Sequence, residues 1–489
     1  MSRITYNLAT LLLSALLFAC ANENEFHIPG YEQPDNNTPS TESPQYPNAE
    51  WAAGTLAEVF DMSNLPEIHI EVPLDEWNTL LQEYDNDNNT GAYIHCDVEY
   101  NSKGEQYSFE DAGLRLRGNT SRRRPEGNYG EKHQADNTDW RHCHFMINLR
   151  KYQKDDAHEL HTVRKIHLKW FKDDSAYCRE IYCYDLFRRY GIWAAPYSSY
   201  CRLWIHVEGD TKPAYYGVYV MLESIDDRYV KMRKDLFGDH KHNLWKCRWG
   251  ATLNYNDIHN TSIFYDDDTG ADYTYELKSN TENFAAAREQ LIEFTRNLTQ
   301  RKGQDFHDWI ASVCDVPLLL KTYAVNVIVG MWDDYWNNSN NYYIYFNSSD
   351  KDNYKFFFIP YDYDNTLGTS LNCGVQDDSG RQNPLKWGDS SKHPLIGKLL
   401  EFDDYRKIYI DALNELCAEQ NDLFHYRASM SRISLWQQMV GNYVQNDTDE
   451  DCKIEDKPAS WGNHHEYRLM GNDANTNFFM VKASSVPEK

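Results

Sequence analysis

The chain has 489 residues, with 75 acidic and 49 basic side chains, and so a formal net charge of −26. A polyanion of this kind does not grip a nucleic-acid backbone, because displacing counterions from phosphate takes clustered Lys and Arg. Its 36 Tyr, 20 Phe and 14 Trp exclude a disordered chain and suit strand faces and wet clefts.

The first stretch, MSRITYNLATLLLSALLFAC, has one early cation, Arg3, and then an apolar run over residues 8–18. That run is too short to span a bilayer and ends at a small residue followed by Cys20. It predicts a bacterial lipoprotein signal over residues 1–19, with Cys20 as the lipidated first mature residue. An ordinary secretory signal is the alternative. Residues 20–50 are rich in Pro, Asn, Ser and Glu and read as a disordered linker. The expected location is the outer membrane or cell surface, with a lipid as the only anchor. Of the ten remaining Cys, none forms a C-x-x-C or a zinc-type set, so most are expected to be buried thiols.

Order begins near Trp51. Residues 67–72 alternate as a strand and 74–84 read as an amphipathic helix. Residues 85–91 (DNDNNTG) read as a solvated turn rather than a calcium loop, because the Gly falls late and no closing Glu follows. Strands are expected over 92–100, 106–121, 143–149 and 163–171. A helix over 175–190 stops at Gly191, and two strands follow at 199–207 and 214–222. After a short helix from 225, helices dominate from 281, one of them capped by Asp315 with Pro317 in its first turn. Strands return at 341–346 and 354–364, and the tail from 393 is helical. A strand-rich half followed by a helical half predicts an α+β chain of two lobes with a cleft between them.

The densest polar cluster spans residues 332–368. Asp333 and Asp334 follow an apolar helix, a run of Asn follows them, and Asp362 and Asp364 end an apolar strand. Carboxylates joined by a hairpin, with Asn carbonyls beside them, are hard oxygen ligands suited to Mg²⁺ carrying a polyphosphate. A turn-rich hairpin of solvated acids is the alternative. Two chemistries fit the cluster. One is phosphoryl transfer from a nucleotide. The other is aspartyl-phosphate chemistry on the D-x-D-x-T of residues 362–366, with Asp362 as nucleophile and Asp364 as acid/base. The second needs an α/β sheet built after the motif.

The ordered motifs of the chain carry a resemblance. They are Gly113-Leu-Arg-Leu-Arg117-Gly118-Asn119, Arg164-Lys165-Ile-His-Leu168, Cys178-Arg179-Glu180, Tyr184-Asp185-Leu186-Phe187, Tyr216-Gly217 leading to Glu223, Tyr275-Glu-Leu-Lys278, Asn341-Tyr-Tyr-Ile-Tyr345 and Ile359-Pro360-Tyr-Asp362-Tyr-Asp364-Asn-Thr-Leu-Gly368. From about residue 65 to about residue 420 the chain resembles the CotH kinases, the spore-coat protein H-like secreted atypical kinases. The resemblance implies a two-lobed atypical protein-kinase-like fold, strand-rich in its N-terminal lobe and helical in its C-terminal lobe. It implies transfer of phosphate from ATP to Ser of a secreted or surface protein, with ATP and Mg²⁺ as cofactors.

Carried across by motif, Asp333 looks like the catalytic-loop acid, with Asp334 as second choice. Asp362 looks like the metal-binding Asp, with Asp364, Asn338 and Asn341 completing the metal site. Arg117, Lys169, Glu180, Glu223 and Lys278 are the nucleotide-side candidates, Glu223 at a hinge. The family's Lys near residues 140–149 is absent, and Arg141 is the candidate substitute. The implied division is an N-terminal segment over 51–112, a kinase-like domain over 113–430 and a helical extension over 431–489. A non-catalytic surface-binding lipoprotein is the reading from another class. It would use Trp193, Trp204, Trp245, Trp249, Trp332 and Trp336 to stack on a ligand.

Overall fold

A computed structural model describes residues 56–119, 121–265, 273–370, 378–458, 463–464 and 466–488. Cys20, the 20–50 linker, Cys373 and the acidic run 266–268 lie outside the described residues.

The strands of the first half are β1 (Glu67–Val72), β2 (Ile94–Ser102), β3 (Glu105–Arg117), β4 (His144–Asn148), β5 (Lys165–Lys169), β6 (Ser198–Val207) and β7 (Ala214–Glu223). They form a closed barrel in the order β1-β2-β3-β4-β5-β7-β6. Closure comes from a parallel pairing of β1 with β6, Glu67 opposite Arg202 through Val72 opposite Val207. The barrel has no free edge to cap. Its interior holds Ile68, Ile70, Leu114, Phe145, Ile147, Leu203, Ile205, Tyr219 and Met221. Helix α1 (Leu74–Asn86) covers one side through Trp77, Leu80 and Leu81.

Helix α2 (Arg179–Arg189) follows β5 and is buried over most of its length. It ends where Gly191 takes a φ of 78°, a left-handed stop. A second sheet then forms from β8 (Asn243–Cys247), β9 (Ile263–Tyr265), β10 (Tyr275–Leu277), β11 (Tyr342–Phe346) and β12 (Phe356–Pro360), in the order β12-β11-β8-β10-β9. Helices α3 (Phe284–Gln300), α4 (Gly303–Val313), α5 (Val316–Ile328), α6 (Asp403–Cys417) and α7 (Tyr426–Val440) pack around it in one core. The Asp315 cap is as expected: its carboxylate accepts from the Leu318 N–H at 3.0 Å.

The mixed α+β class is as expected. The first half is strand-rich as expected, and its strands close on themselves into a barrel, which the sequence did not indicate. The second half differs from expectation: it is a sheet wrapped in helices, not a helical body with a two-strand insert. The hairpin over 342–360 joins a strand that the sequence hides, β8. The tail is also less helical than expected. After α7 it runs as a strap: the Asp447 N–H donates to the Tyr215 carbonyl at 2.8 Å, and the Glu455 N–H to Ser175 at 2.9 Å. Asp85, in the supposed turn, is held by Arg124 at 3.0 Å.

Glu223 ends β7, and both its oxygens are taken by Arg233, at 2.7 Å each. It also accepts the Tyr197 N–H at 3.0 Å. Both partners of this fork are buried, so losing one strands the other. Glu223→Ala is expected to lower unfolding free energy by about 3–5 kcal/mol, read from urea denaturation. A loss below about 1 kcal/mol would mean the pair is solvated in solution.

Candidate active site

The site is assembled around Lys169, the last residue of β5, whose side chain is 3% exposed. Its ammonium meets Glu180 of α2 at 2.6 Å, Asp362 at 2.7 Å and Asp364 at 3.3 Å. Residues 193 and 195 positions away in sequence are thereby tied to the barrel. Burial works against the ammonium, but Asp362, Asp364 and Glu180 together hold it charged well above the ordinary lysine range.

The three acids are not equivalent. Burial raises all of them. For Asp362 the Lys169, Arg117 and Lys246 charges win, and its carboxyl stays below the usual range. For Asp364 burial, with Asp362 and Glu180 alongside, pushes the carboxyl up to about 7. Glu180 is also raised by burial, with Lys169 opposing and Asp362 adding to the rise. Asp364 Oδ1 and Glu180 Oε1 are buried without a hydrogen bond.

The backbone aims these groups. Asp362 has a φ of 64°, a left-handed turn directly after strand β12. Its N–H donates to the Tyr184 hydroxyl of α2 at 3.0 Å, which fixes the turn. Arg117, at the end of β3, donates to the Tyr361 hydroxyl at 2.9 Å, and its Nη1 is buried without a partner.

Asp333 stands on the loop after α5. It accepts from Asn338 at 2.6 Å, Asn340 at 3.2 Å and Asn341 at 2.9 Å. Burial raises its pKa against those bonds, and the Asp362 charge adds to the rise. Asn338 and Asn341, expected at a metal, thus spend their N–H groups on Asp333. Asp334, the second choice for the catalytic acid, is a structural anchor. It caps the turn Tyr335–Asn338 through the Asn337 N–H at 2.7 Å and holds Asn326 at 2.5 Å and the Trp387 indole at 3.2 Å. Burial pushes it up to about 8.

Of the remaining candidates, Lys278 binds Glu276 at 3.0 Å on the wall of the second sheet. Glu223 is committed to the Arg233 fork described above. Arg141 does not replace the missing lysine: it donates to the Gly127 carbonyl at 2.6 Å and to Asp139 at 3.0 Å, out on the 122–139 loop. Sequence reasoning missed Tyr184, Lys246 and Tyr361. The first was noted within a family motif, not as a site residue, and the second sits on the unrecognised β8.

The donor set suits Mg²⁺, which binds through one or two carboxylates plus phosphate oxygens and water. Asp362 and Asp364, with the unpartnered Asp364 Oδ1, are the residues that would hold it. Among the described residues no group of three or more His, Cys, Asp or Glu is placed to hold a metal ion by itself, so phosphate oxygens and water would have to complete the shell.

The family model described as CotH kinase protein matches residues 114–470. The chain belongs to the CotH kinase family. No curated protein matches it. The CotH kinase match covers every member of the Lys169 cluster, and the boundary expected at 430 falls inside it, within α7. Family membership implies phosphotransfer from ATP.

His393 braces the Asp333 loop. Its Nδ1 lies 3.0 Å from the Asp389 carbonyl and so donates, leaving Nε2 to accept from the Ser339 hydroxyl at 2.7 Å. The ring is therefore neutral, and burial lowers its pKa from 6.5 to about 4. The unfolded chain takes up this proton first. The contribution to stability is complete above pH 6.5 and is lost as pH falls toward 4. His393→Gln is expected to flatten the stability profile in that window, by up to about 1.4 kcal/mol per pH unit. Urea midpoints measured across the window check this, and an unchanged slope would refute it.

Proposed function

We propose that this CotH kinase transfers the γ-phosphoryl group of ATP to a Ser hydroxyl of a secreted or surface protein, in a Mg²⁺-dependent reaction on a two-lobed kinase-like fold. The observation that carries this reading is the Lys169–Glu180–Asp362 constellation. A buried strand lysine held by a helix glutamate and facing a post-strand aspartate is the phosphate-handling arrangement of protein kinases.

Lys169 grips the phosphates, and Glu180 fixes the lysine. Asp333, its pKa raised and its carboxylate oriented by three Asn side chains, accepts the proton of the attacking Ser hydroxyl. Bound at Asp362 and Asp364, Mg²⁺ would neutralise developing charge on the phosphoryl oxygens. Arg117 approaches the same space from the barrel. Lipidation at Cys20, export and attachment to the outer membrane or cell surface belong to the proposal and rest on the sequence of residues 1–20. Among the described residues no helix is long and apolar enough to cross a membrane.

The other two readings find less support. The phosphatase needs an α/β sheet after residue 364, but the strands described there, Thr369–Ser370 and Asn463–His464, pair only with each other. The stacking surface needs accessible indoles. Trp245, Trp332 and Trp336 are fully buried, and of the six only Trp249 is exposed, at 73%.

With labelled ATP, Mg²⁺ and a Ser-containing acceptor, Asp333→Asn is expected to cut transfer by about 10²–10⁴-fold while ATP still binds. Asp362→Ala is expected to abolish the Mg²⁺-dependent rate. No transfer and no ATP-induced thermal shift in the wild type would leave the binding-protein reading. Phosphate release from a monoester, lost in Asp362→Ala, would favour the phosphatase.

A further inference from the structure

The wall of the site opposite the barrel carries a cation that the mechanism above does not use. Lys246 lies on β8, at the centre of the second sheet, with Tyr343 and Glu276 as its cross-strand neighbours. Its Nζ lies 5.4 Å from the centre of the Tyr361 ring. Arg117 reaches the hydroxyl of that same tyrosine from the barrel. One tyrosine, directly preceding Asp362, is thus flanked by a cation from each body of the fold.

Among the described residues neither cation makes an ion pair, although Asp362 and Glu180 lie near enough to Arg117 to help keep it charged against burial. Among the described residues no carboxylate lies within ion-pair distance of Lys246, and the nearby Glu276 is taken by Arg248 at 2.9 Å and Lys278 at 3.0 Å. Arg117 keeps a buried Nη1 without a hydrogen bond. Facing them from β5, His167 is 8% exposed, with both ring nitrogens unpartnered. Burial and the Arg248, Lys278 and Arg117 charges, with Glu276 opposing, lower the Lys246 pKa to about 7. Its own charge in turn helps to keep Asp362 ionised. Half-buried cations without an ion-pair partner are unfavourable in isolation and become favourable once an anion lies among them.

We propose that Lys246 is a phosphate-binding residue: with Arg117 it holds the phosphate chain of the donor nucleotide between barrel and sheet, and so selects a triphosphate over a monophosphate. The inference rests on the nucleotide reading given above. It assigns the second grip to the sheet, in the place of the strand lysine that β4 lacks.

The test uses the full chain with ATP, AMP and inorganic tripolyphosphate as probes, with binding followed by calorimetry. Lys246→Gln is expected to weaken ATP and tripolyphosphate by about tenfold or more, through loss of a charge-assisted bond, and AMP far less. Lys246→Arg, which keeps the charge, should retain most of the affinity, and Arg117→Gln should repeat the triphosphate-selective loss. Lys246→Gln binding ATP as the wild type does, in a wild type that binds ATP, overturns this inference alone. If Lys246→Arg loses ATP and AMP binding as severely as Lys246→Gln, with a lower melting temperature, Lys246 is structural and the inference falls. A wild type that binds neither ATP nor tripolyphosphate overturns the nucleotide reading and this one together.

Discussion

A single buried ammonium organises the molecule. Lys169 sits where water cannot solvate it, which by itself costs several kcal/mol. Glu180 of α2 and the pair Asp362 and Asp364 of the turn after β12 make the position tenable. The barrel, α2 and the turn after β12 must therefore meet at one point. The same knot leaves three carboxylates against one lysine, with Arg117 close by. Burial, with Asp362 and Glu180 alongside, leaves Asp364 near neutrality, while the Lys169, Arg117 and Lys246 charges keep Asp362 ionised.

Acids around the site divide into those that hold the fold and those left able to act. Asp334 has every oxygen engaged by Asn337, Asn326 or Trp387, in a pocket dry enough to push it toward neutrality. Asp333, one residue earlier, is half-buried, and among the described residues its carboxylate is bound by amides from its own loop. Those amides orient a carboxylate without neutralising it. Glu223 belongs with Asp334: a guanidinium fork occupies both its oxygens, so it braces the end of β7 and presents nothing to a ligand.

Much of this was legible where chemistry is local. Residues 67–72 alternate because one face of β1 is buried and the other is not. Gly191 and Asp315 announce helix ends by conformation and by capping. The D-Y-D after an apolar strand marks the site because acids rarely end such a strand without purpose. β8 was hidden for a physical reason. Asn243, Leu244, Trp245 and Cys247 are all buried, so a central strand covered on both faces shows no alternation. Barrel closure has no local signal either, since β1 and β6 lie some 130 residues apart and pair only through tertiary context. Asp333 and Asp334 look alike in sequence. The capping spacing from Asp334 to Asn337 was the one clue to which of them was structural.

The chain's net charge of −26 and its cationic site wall are compatible because charge acts locally at short range. Exposed acids contribute to solubility. Inside the site the balance reverses along one side: Arg117, Lys246, Arg248 and Lys278 gather where Glu276 is the counter-charge. The opposite side is acidic, with Asp333, Asp362 and Asp364. An anion with a metal bound to its far end matches both sides at once, whereas a bare anion or a bare metal matches only one. An extended nucleic acid is still excluded, because it needs cations along a surface rather than a few beside an acidic cluster. What the composition permits is a small polyphosphate, held at one end by bases and at the other through a cation.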